Sequence, residues 1–280
     1  NENILLVDLD EEIVKAYGGY PLPRSLFASM IENTEGVSGL TLLMPDPDLR
    51  DNRNDYKLAS AMSVKPTVLA YTASTQATES GPHVGTAQLG ENPLPWLLNY
   101  QGILRQLPVL QLNAGGVGLI NSSPELDGVV RRMPVAVSSG DKIYPSFPLE
   151  MLRLAVGDPS YQIKTNETGV EWLRVPSYPT ITTDANARIW VQQNVKFHRQ
   201  TASQYMQNPI PAPFVIFGVT AEGVTNPVPT AQGAVYPHEI QANVLHSLIE
   251  GNSPSIPTWS VAVELGAALL ALLLLSITVS

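Results

Sequence analysis

The sequence predicts an α/β domain in which helices flank a mixed sheet with inserted β-hairpins, followed by one transmembrane helix. Short apolar runs, typical of buried strands, alternate with amphipathic helices near both ends of residues 1–252, which favours parallel strands. Hairpin patterns lie between those ends and favour antiparallel pairing. Residues 260–280 are almost entirely apolar. We therefore expect a domain over residues 1–252, a linker over 253–259 and a membrane helix over 260–280.

The first elements predict a β-α-β unit. The apolar run in "NILLVDLDEE" stops on acids, as a buried strand does at the edge of a sheet. After a turn through Gly18 and Gly19, Pro23 is suited to the first turn of a helix. The apolar side chains of that helix share one face: Leu26, Phe27, Met30 and Ile31. The stretch "GLTLLM" then predicts a second strand, parallel to the first and joined to it by a right-handed crossover.

The following segments predict a short helix, a third strand and a long loop. The helix is expected at "NDYKLASAM", where Asp55 is suited to the cap or the first turn. The stretch "PTVLAYTAS" predicts the strand. The segment Thr75–Leu94 is rich in Thr, Ser, Gly and Pro and has no periodicity, so a surface loop is expected there.

The middle of the chain predicts two hairpins around a helix. In "VVRRMPVAVSSGDKIYPSF" a Ser-Gly-Asp turn joins two strands, and "PLEMLRLAVG" predicts a helix that ends at Gly157. A second hairpin is expected around Asp184–Asn186. Near the end, "PFVIFGV" predicts a buried strand with Gly218 at its exit, and a helix is expected from His238 to Gly251.

Charge and composition exclude several classes of function. The net charge is −9, and the 16 basic residues form no run longer than Arg131 and Arg132. Nucleic-acid binding depends on clustered Lys and Arg, so no nucleic-acid partner is expected. The chain has no cysteine, which excludes disulfides and thiolate chemistry.

No catalytic motif is recognisable, and no cofactor is expected. The four histidines are scattered, and neither a nucleophile elbow nor a phosphate-binding loop occurs. The glycines of "NAGGVGL" are not in the dinucleotide-binding order, so this stretch is interpreted as a tight turn. We therefore predict no catalytic residue, no enzyme activity in these residues and no metal site.

An acidic loop leaves two interpretations open. Its four acids, Asp46, Asp48, Asp51 and Asp55, could supply oxygen ligands to Ca²⁺. The loop lacks the glycine and final glutamate of an EF-hand, and Arg50 and Arg53 lie among the acids. The alternative is that these acids cap helices and form local ion pairs, which the arginines favour.

Five charged residues are candidates for ligand binding or for structural ion pairs: Asp8, Asp10, Arg24, Arg131 and Arg132. Asp8 and Asp10 lie two apart at a strand end and share a face, where they could act as paired carboxylates or cap helices. Arg131 and Arg132 are adjacent on a predicted strand, so one of them points inward and needs an anionic partner. We expect that partner to be Asp8 or Asp10; anion recognition by the guanidinium group is the alternative.

The final apolar stretch predicts the membrane helix. Trp259 precedes it, at the position where an aromatic ring lies at the membrane interface. Glu264 is its one charge, and with Gly266 it marks an expected contact with partner helices, although Glu264 could instead reach toward the headgroups. Both ends of the chain look like cuts, and we expect the protein to continue past Ser280.

Five motifs in order resemble a known family, the second type of CHASE extracellular sensor domain (cyclase/histidine-kinase-associated sensory extracellular domain). They are "VDLDEEIVKAYGGYPLPRSLFASMIE", "NDYKLASAM", "GLINSSPELDGVVRRMPVAV" with "YPSFPLEMLRLAVG", "FVIFGVTAEGVTNPVPT" and "HEIQANVLHSLIEGN". The resemblance implies a bacterial domain in the periplasm or outside the cell. It also implies further transmembrane helices and a cytoplasmic output such as a nucleotide cyclase or a kinase. The chain departs from the family pattern at four positions: Met44, Asn226, His238 and Gln241.

Two hypotheses follow from the resemblance. In the first, the chain is the sensory domain of a transmembrane receptor that responds to an unknown extracellular ligand. In the second, it is a non-signalling accessory subunit of a larger membrane complex. Both imply the lipid bilayer and partner transmembrane helices as partners, in a homo-oligomer or a membrane complex.

Overall fold

The computed structural model describes residues 2–76, 84–192, 195–254 and 259–279. The first elements in chain order are β1 (Ile4–Leu9), α1 (Glu11–Ala16), α2 (Arg24–Glu32), β2 (Val37–Leu40), α3 (Arg53–Val64), β3 (Thr67–Ser74), β4 (Gly85–Gly90), β5 (Asn99–Tyr100), β6 (Gly102–Leu104), α4 (Pro108–Asn113) and β7 (Gly116–Leu119). Then follow β8 (Arg132–Pro134), β9 (Ala136–Ser139), β10 (Lys142–Pro145), α5 (Phe147–Val156), β11 (Ser160–Asn166), β12 (Gly169–Arg174), β13 (Ile181–Thr182) and β14 (Arg188–Trp190). The last are β15 (His198–Thr201), α6 (Ala202–Gln207), β16 (Phe214–Val219), β17 (Val228–Thr230), β18 (Gly233–Val235), α7 (Pro237–Glu250) and α8 (Ser260–Val279).

A seven-stranded mixed sheet forms the centre, in the order β15-β1-β16-β2-β3-β6, with β7 also paired to β3. Every pairing in it is parallel except that of β6, which runs antiparallel to β3. The predicted mixed sheet is therefore confirmed. β1 and β2 are parallel as predicted, but β16 lies between them.

The two faces of this sheet pack against different helices. Along β1, Leu5 and Val7 join the core cluster that includes residues of α1, α2, α3, α4 and α6. Ile4 and Leu6 join the cluster that includes residues of α5 and α7. Since strand side chains alternate between faces, Asp8 falls on the α7 face.

Smaller sheets surround the central one. The antiparallel hairpin of β9 and β10 has its turn at Gly140 and Asp141, so the first predicted hairpin is confirmed. β4, β11, β12 and β13 form a four-stranded sheet, β8 pairs with β14, and β17 pairs with β18.

The second predicted hairpin, around Asp184–Asn186, is wrong. The strands on either side of this turn belong to different sheets, because β13 pairs with β12 whereas β14 pairs with β8. The Asp184 carboxylate accepts hydrogen bonds from the backbone N–H groups of Asn186 and Arg188. This turn therefore redirects the chain between two sheets.

The glycine-rich stretch interpreted as a tight turn is instead β7, a strand of the central sheet. A Cβ atom at Gly118 would lie 2.4 Å from the Cα of Phe147, and one at Gly116 would lie 2.1 Å from Glu150 Oε1. Both neighbours belong to α5. The glycines therefore allow α5 to pack directly on the strand backbone.

Two other expectations need correction, and one helix was missed. The predicted loop Thr75–Leu94 contains β4, which pairs in parallel with β11, while residues 77–83 lie outside the described residues. The second strand was expected at 39–44, but it is Val37–Leu40. The short helix α1, which directly follows β1, was not predicted.

The helix ends follow the sequence signals. Gly157 and Gly251 both have a left-handed conformation, and they close α5 and α7 as predicted.

In α8, the described leucines are more than half exposed, for example Leu265 and Leu269. Counting only the residues that the structure describes, no helix meets the combined length and apolar character that a membrane crossing requires. Residues 255–258 of the predicted linker and Ser280 lie outside the described residues.

Candidate functional site

A crevice lies along the carboxyl edge of the parallel strands. It consists of two cavities that share Tyr20, Leu42 and Leu43. We name them the His238 cavity and the Arg24 cavity, and together the carboxyl-edge crevice. Its walls include Val219, the last residue of β16, and Ile120, which directly follows β7. Ligands of open α/β sheets commonly bind outside the carboxyl ends of the strands, where connections leave toward opposite faces.

The His238 cavity has a volume of about 240 Å³. It is lined by Tyr20, Thr41, Leu42, Leu43, Ile120, Val219, Thr225, Pro237 and His238. Among the described residues, no lysine, arginine, aspartate or glutamate lines it. Burial raises the pKa of Tyr20, although nearby Arg24 opposes the shift, so the phenol is a neutral hydroxyl group at physiological pH. This cavity is therefore an apolar space with a few neutral polar groups.

His238 is the buried polar residue of this cavity, at the first turn of α7. Its ring is 1% exposed, and its Nε2 lies 2.9 Å from Asp8 Oδ1 on β1. A carboxylate only accepts hydrogen bonds, so Nε2–H donates to Asp8, and in the neutral ring Nδ1 is left as an acceptor. The ring packs on Gly218, where a Cβ atom would lie 2.2 Å from His238 Cγ.

Two buried acceptors on this face of α7 have no hydrogen-bond partner among the described residues. They are His238 Nδ1 and Gln241 Oε1. Residues three apart on a helix are neighbours on one face. Gln241 Nε2 donates to the carbonyl oxygen of Ile120 at 3.1 Å, which places this side chain against the cavity wall. Both atoms are enclosed by the surrounding protein and are not exposed to the cavity.

Asp8 also connects α7 to the neighbouring strand β15. Arg199 Nε lies 3.5 Å from Asp8 Oδ2, and Arg199 Nη2 lies 2.5 Å from Glu239 Oε2. Asp8 is largely buried, whereas Arg199 is partly exposed. The carboxylate therefore ties the first turn of α7 to two strands of the central sheet.

Arg24, at the start of α2, is buried in the Arg24 cavity with acidic neighbours. Its Nη2 donates to the carbonyl oxygen of Asp46 at 2.8 Å, and its Nε lies 3.5 Å from Asp55 Oδ1. Its backbone N–H donates to Asp48 Oδ2. Because buried Asp55 already compensates the guanidinium charge, an anionic ligand is not favoured here.

The acids of the loop after β2 act as caps and ion-pair partners, as the second interpretation predicted. Asp48 accepts from the backbone N–H groups of Arg24 and Arg50, and Asp55 accepts from that of Asp48. Burial raises the pKa of the Asp48 carboxyl, but the hydrogen bonds from Arg24, Arg50 and other donors outweigh it and lower the pKa overall. Asp51 pairs with Arg53. No cluster of three or more candidate metal ligands occurs in the described part of the chain.

The predicted ion pairs of Arg131 and Arg132 with Asp8 or Asp10 are wrong. Arg131 pairs with Asp127, at 2.7 Å. Arg132 pairs with Glu125 at 2.8 Å and with Asp184 at 3.0 Å, and its guanidinium group lies 5.3 Å from the centre of the Trp190 ring. Both arginines stabilise the region around β8 rather than the carboxyl-edge crevice.

The two candidate acids near the end of β1 have separate roles. Asp10 caps α1, where its Oδ1 accepts from the backbone N–H of Ile13. Asp8 binds His238. Capping was one of the two interpretations for this pair, and it is confirmed for Asp10.

Three sequence candidates lie at or in α8. Trp259 is 63% exposed, Glu264 is exposed, and a Cβ atom at Gly266 would meet no atom within 4 Å among the described residues. Their expected contacts with membrane or partner helices stay predictions.

Sequence reasoning missed Tyr20, Thr225 and Arg199 as site residues and treated His238 only as a departure from the family pattern. One signal was available for the Asp8–His238 contact. Asp8 interrupts the apolar run of β1, and a polar residue within a buried strand requires a partner. Gly218 in β16 was a second signal, because a glycine within a strand often lies where another part of the chain packs closely on the strand backbone.

The comparison with protein families decides the assignment, because the model of the CHASE2 domain matches residues 1–278. The chain belongs to the CHASE2 family. CHASE2 domains are sensory extracellular domains of signalling receptors, and they are not catalytic. The CHASE2 match extends through most of α8. No curated protein and no solved structure matches the chain at a level that indicates a relationship.

Proposed function

We propose that this CHASE2 domain is the extracytoplasmic sensory part of a bacterial transmembrane receptor. In this proposal α8 enters the cytoplasmic membrane, and it transmits a signal to a cytoplasmic output such as a nucleotide cyclase or a kinase. The family supplies the sensory role. The apolar sequence of 260–280 and the exposed leucines of α8 support the membrane location.

The observation that carries the proposal is the course of α7. Its first turn lines the His238 cavity, and its last turn leads through residues 251–259 to α8. At 1.5 Å per residue, this helix of 14 residues is about 20 Å long. A change at the carboxyl-edge crevice that shifts α7 would therefore reach the attachment point of α8.

Cross-linking between copies tests this transmission. The chain has no cysteine, so single cysteines can be introduced one at a time at residues 265–272, and no native cysteine will form competing cross-links. The full chain in membranes is oxidised, with and without Thr225→Trp, which fills the His238 cavity. We expect Thr225→Trp to change which positions cross-link, whereas Leu126→Trp at a fully exposed site should not.

An identical cross-linking pattern in both proteins would contradict signalling through α7. The non-signalling accessory subunit would then be the better account. Absence of all cross-links in every protein would contradict the homo-oligomer that the sequence analysis expects.

We further propose that Glu264 and Gly266 lie at the contact of α8 with a partner helix, with Trp259 at the membrane interface. Glu264→Gln keeps a hydrogen-bonding group and is expected to preserve the cross-links. Glu264→Leu removes that group and is expected to weaken them. If Glu264→Leu cross-links like the unmodified chain, the acid instead reaches toward the headgroups.

A further inference from the structure

The Arg24 cavity carries an inference about the chemistry of the signal, which deepens the proposed sensory function and rests on it. This half of the carboxyl-edge crevice has a volume of about 240 Å³, smaller than cavities for drug-sized molecules. Apart from Arg24 and Asp46, its described lining is apolar or aromatic. The space therefore suits a molecule of about one ring with an apolar body.

Two loops form the walls of the Arg24 cavity, and Arg50 joins them. The loop between α1 and α2 contributes Tyr20 and Pro21, and the loop after β2 contributes Leu49. Arg50, in the second loop, donates from Nη2 to the carbonyl oxygens of Gly19 at 2.8 Å and Pro21 at 3.1 Å. These hydrogen bonds fix the two walls relative to each other, so the protein itself sets the shape of the cavity.

The guanidinium group of Arg24 has one nitrogen available to this cavity. Its Nη2 donates to the carbonyl oxygen of Asp46 at 2.8 Å, and its Nε is enclosed by protein, 3.5 Å from Asp55 Oδ1. Its Nη1 has no hydrogen-bond partner among the described residues, but unlike Nε it is not among the enclosed atoms. The side chain is 7% exposed and lines the cavity. Because a guanidinium group only donates hydrogen bonds, an oxygen acceptor is its complement.

The charges around Arg24 disfavour an anion as the occupant. Three carboxylates lie in or directly beside the cavity, those of Asp46, Asp48 and Asp55, against the two guanidinium groups of Arg24 and Arg50. Asp48 is ionised, because its hydrogen bonds lower its pKa. An anion would lose hydration on entry and would add to the surplus of negative charge. An uncharged acceptor such as a carbonyl oxygen avoids both costs.

We propose that the Arg24 cavity binds a small uncharged molecule with an apolar body and a carbonyl oxygen, which accepts a hydrogen bond from Arg24 Nη1. The apolar lining holds the body of the molecule. Tyr20, Leu42 and Leu43 also line the His238 cavity, which the first turn of α7 closes. An occupant of the Arg24 cavity therefore contacts residues that connect it to α7.

Matched fluorinated probes test this ligand class on the full chain in lipid nanodiscs. They are 4-fluoroacetophenone, which has a carbonyl acceptor; 1-ethyl-4-fluorobenzene, which has nearly the same shape without an acceptor; and 4-fluorobenzoate, whose acceptor is charged. Binding is measured by broadening of the fluorine NMR signal during protein titration, and partitioning into lipid is subtracted with empty nanodiscs. We expect 4-fluoroacetophenone to bind more tightly than 4-fluorobenzoate.

A conservative variant tests the hydrogen bond from Arg24. Arg24→Lys keeps a positive charge opposite Asp55 and removes Nη1. It should weaken 4-fluoroacetophenone about tenfold relative to 1-ethyl-4-fluorobenzene, the effect of one hydrogen bond from a charged group. Arg24→Met combined with Asp55→Asn removes both charges of the buried pair and should give the same relative loss. It is the second variant in case Arg24→Lys fails to fold.

A blocking variant assigns the binding to this cavity. Pro45→Trp places a large side chain in the lining of the Arg24 cavity and is expected to abolish binding of 4-fluoroacetophenone. Leu126→Trp, at a fully exposed site, is expected to leave it unchanged. Loss of binding in Thr225→Trp but not in Pro45→Trp would place the molecule in the His238 cavity and overturn the inference.

Three further outcomes would overturn it: tighter binding of 4-fluorobenzoate than of 4-fluoroacetophenone, an unchanged ratio of the two neutral probes' affinities in Arg24→Lys, or no binding of 4-fluoroacetophenone at millimolar concentration. Each is independent of the proposed membrane location and transmission, which the cross-linking of α8 tests without a ligand.

Discussion

His238 and Asp8 are 230 residues apart in sequence, yet His238 Nε2 lies 2.9 Å from Asp8 Oδ1. The contact joins the first turn of α7 to the end of β1. We expect Asp8→Ala to cost about 1–3 kcal/mol, because it leaves a buried imidazole N–H without an acceptor. Thermal unfolding measures the loss. Glu12→Ala, at an exposed acid in the first turn of α1, is the control and should change stability by less than about 0.5 kcal/mol.

A double-mutant cycle tests whether the loss comes from this contact. Asp8→Ala with His238→Ala should be less destabilising than the sum of the single variants, by about 1 kcal/mol. Additive effects would mean that the two residues stabilise the domain separately.

Gly218→Ala should destabilise the domain, because the new Cβ atom would lie 2.2 Å from His238 Cγ. Overpacking of this kind costs about 1–3 kcal/mol. Adding His238→Ala to Gly218→Ala should recover part of the loss. Gly85→Ala is a matched control on a strand, since its nearest neighbour would be 4.0 Å away. If Gly218→Ala is as stable as Gly85→Ala, the close packing of α7 on β16 is wrong.

The Glu150–Arg153 pair predicts a pH-dependent stability. Glu150 is fully buried, and Arg153 Nη2 lies 2.7 Å from its Oε1. Arg153→Met leaves a buried carboxylate without its cation, which costs about 3–5 kcal/mol. Arg131→Met, which removes an exposed pair, should cost less than about 1 kcal/mol.

The pH dependence of Arg153→Met follows from the direction of the Glu150 shift. Burial raises the pKa of Glu150, and Arg153 opposes that rise. A carboxyl whose pKa is higher in the folded protein favours folding when protonated, and that contribution is lost as pH rises through the folded pKa. Without Arg153 the pKa rises further, so denaturation midpoints should show a larger deficit at pH 8 than at pH 5. An equal deficit at both values would contradict the assignment.

Asp127 should titrate well below an ordinary aspartate. Hydrogen bonds from the Arg131 side chain and the Val129 backbone lower its pKa to about 2. Carboxyl NMR signals would show this value, and Arg131→Ala should move it back toward the ordinary range. A folded pKa that is lowered stabilises the protein above the unfolded value, and that contribution is lost as pH falls from about 4 to 2. An unchanged titration in Arg131→Ala would mean that the two side chains are not paired in solution.

Local signals in the sequence were sufficient for several elements. The apolar run of β1, the apolar face of α2 and the glycines after α5 and α7 depend on neighbours within a few residues, and each was found where predicted. β7 could not be predicted in this way. Glycine does not favour strands. The glycines are needed in β7 because α5, which is distant in sequence, packs directly on the strand backbone.

The candidate site shows the same difference between features set by local sequence and features set by distant contacts. Asp8 and Arg24 could be selected because they are charged residues next to buried segments. Their partners could not be selected from local sequence. His238 is 230 residues away from Asp8 and follows β16, the strand that lies between β1 and β2. The error for Arg132 has the same origin, since Asp184 reaches it through the pairing of β8 with β14.

The side of the membrane on which the domain lies tests the central claim most directly. In the cysteine-free chain, Ser63→Cys places a thiol on the exposed surface of α3, and Ala70→Cys places one in the buried strand β3. Intact spheroplasts that produce either variant are treated with a membrane-impermeant maleimide. We expect labelling of Ser63→Cys before lysis, and labelling of Ala70→Cys only after denaturation. Labelling of Ser63→Cys only after lysis would place the domain in the cytoplasm and contradict an extracytoplasmic sensor.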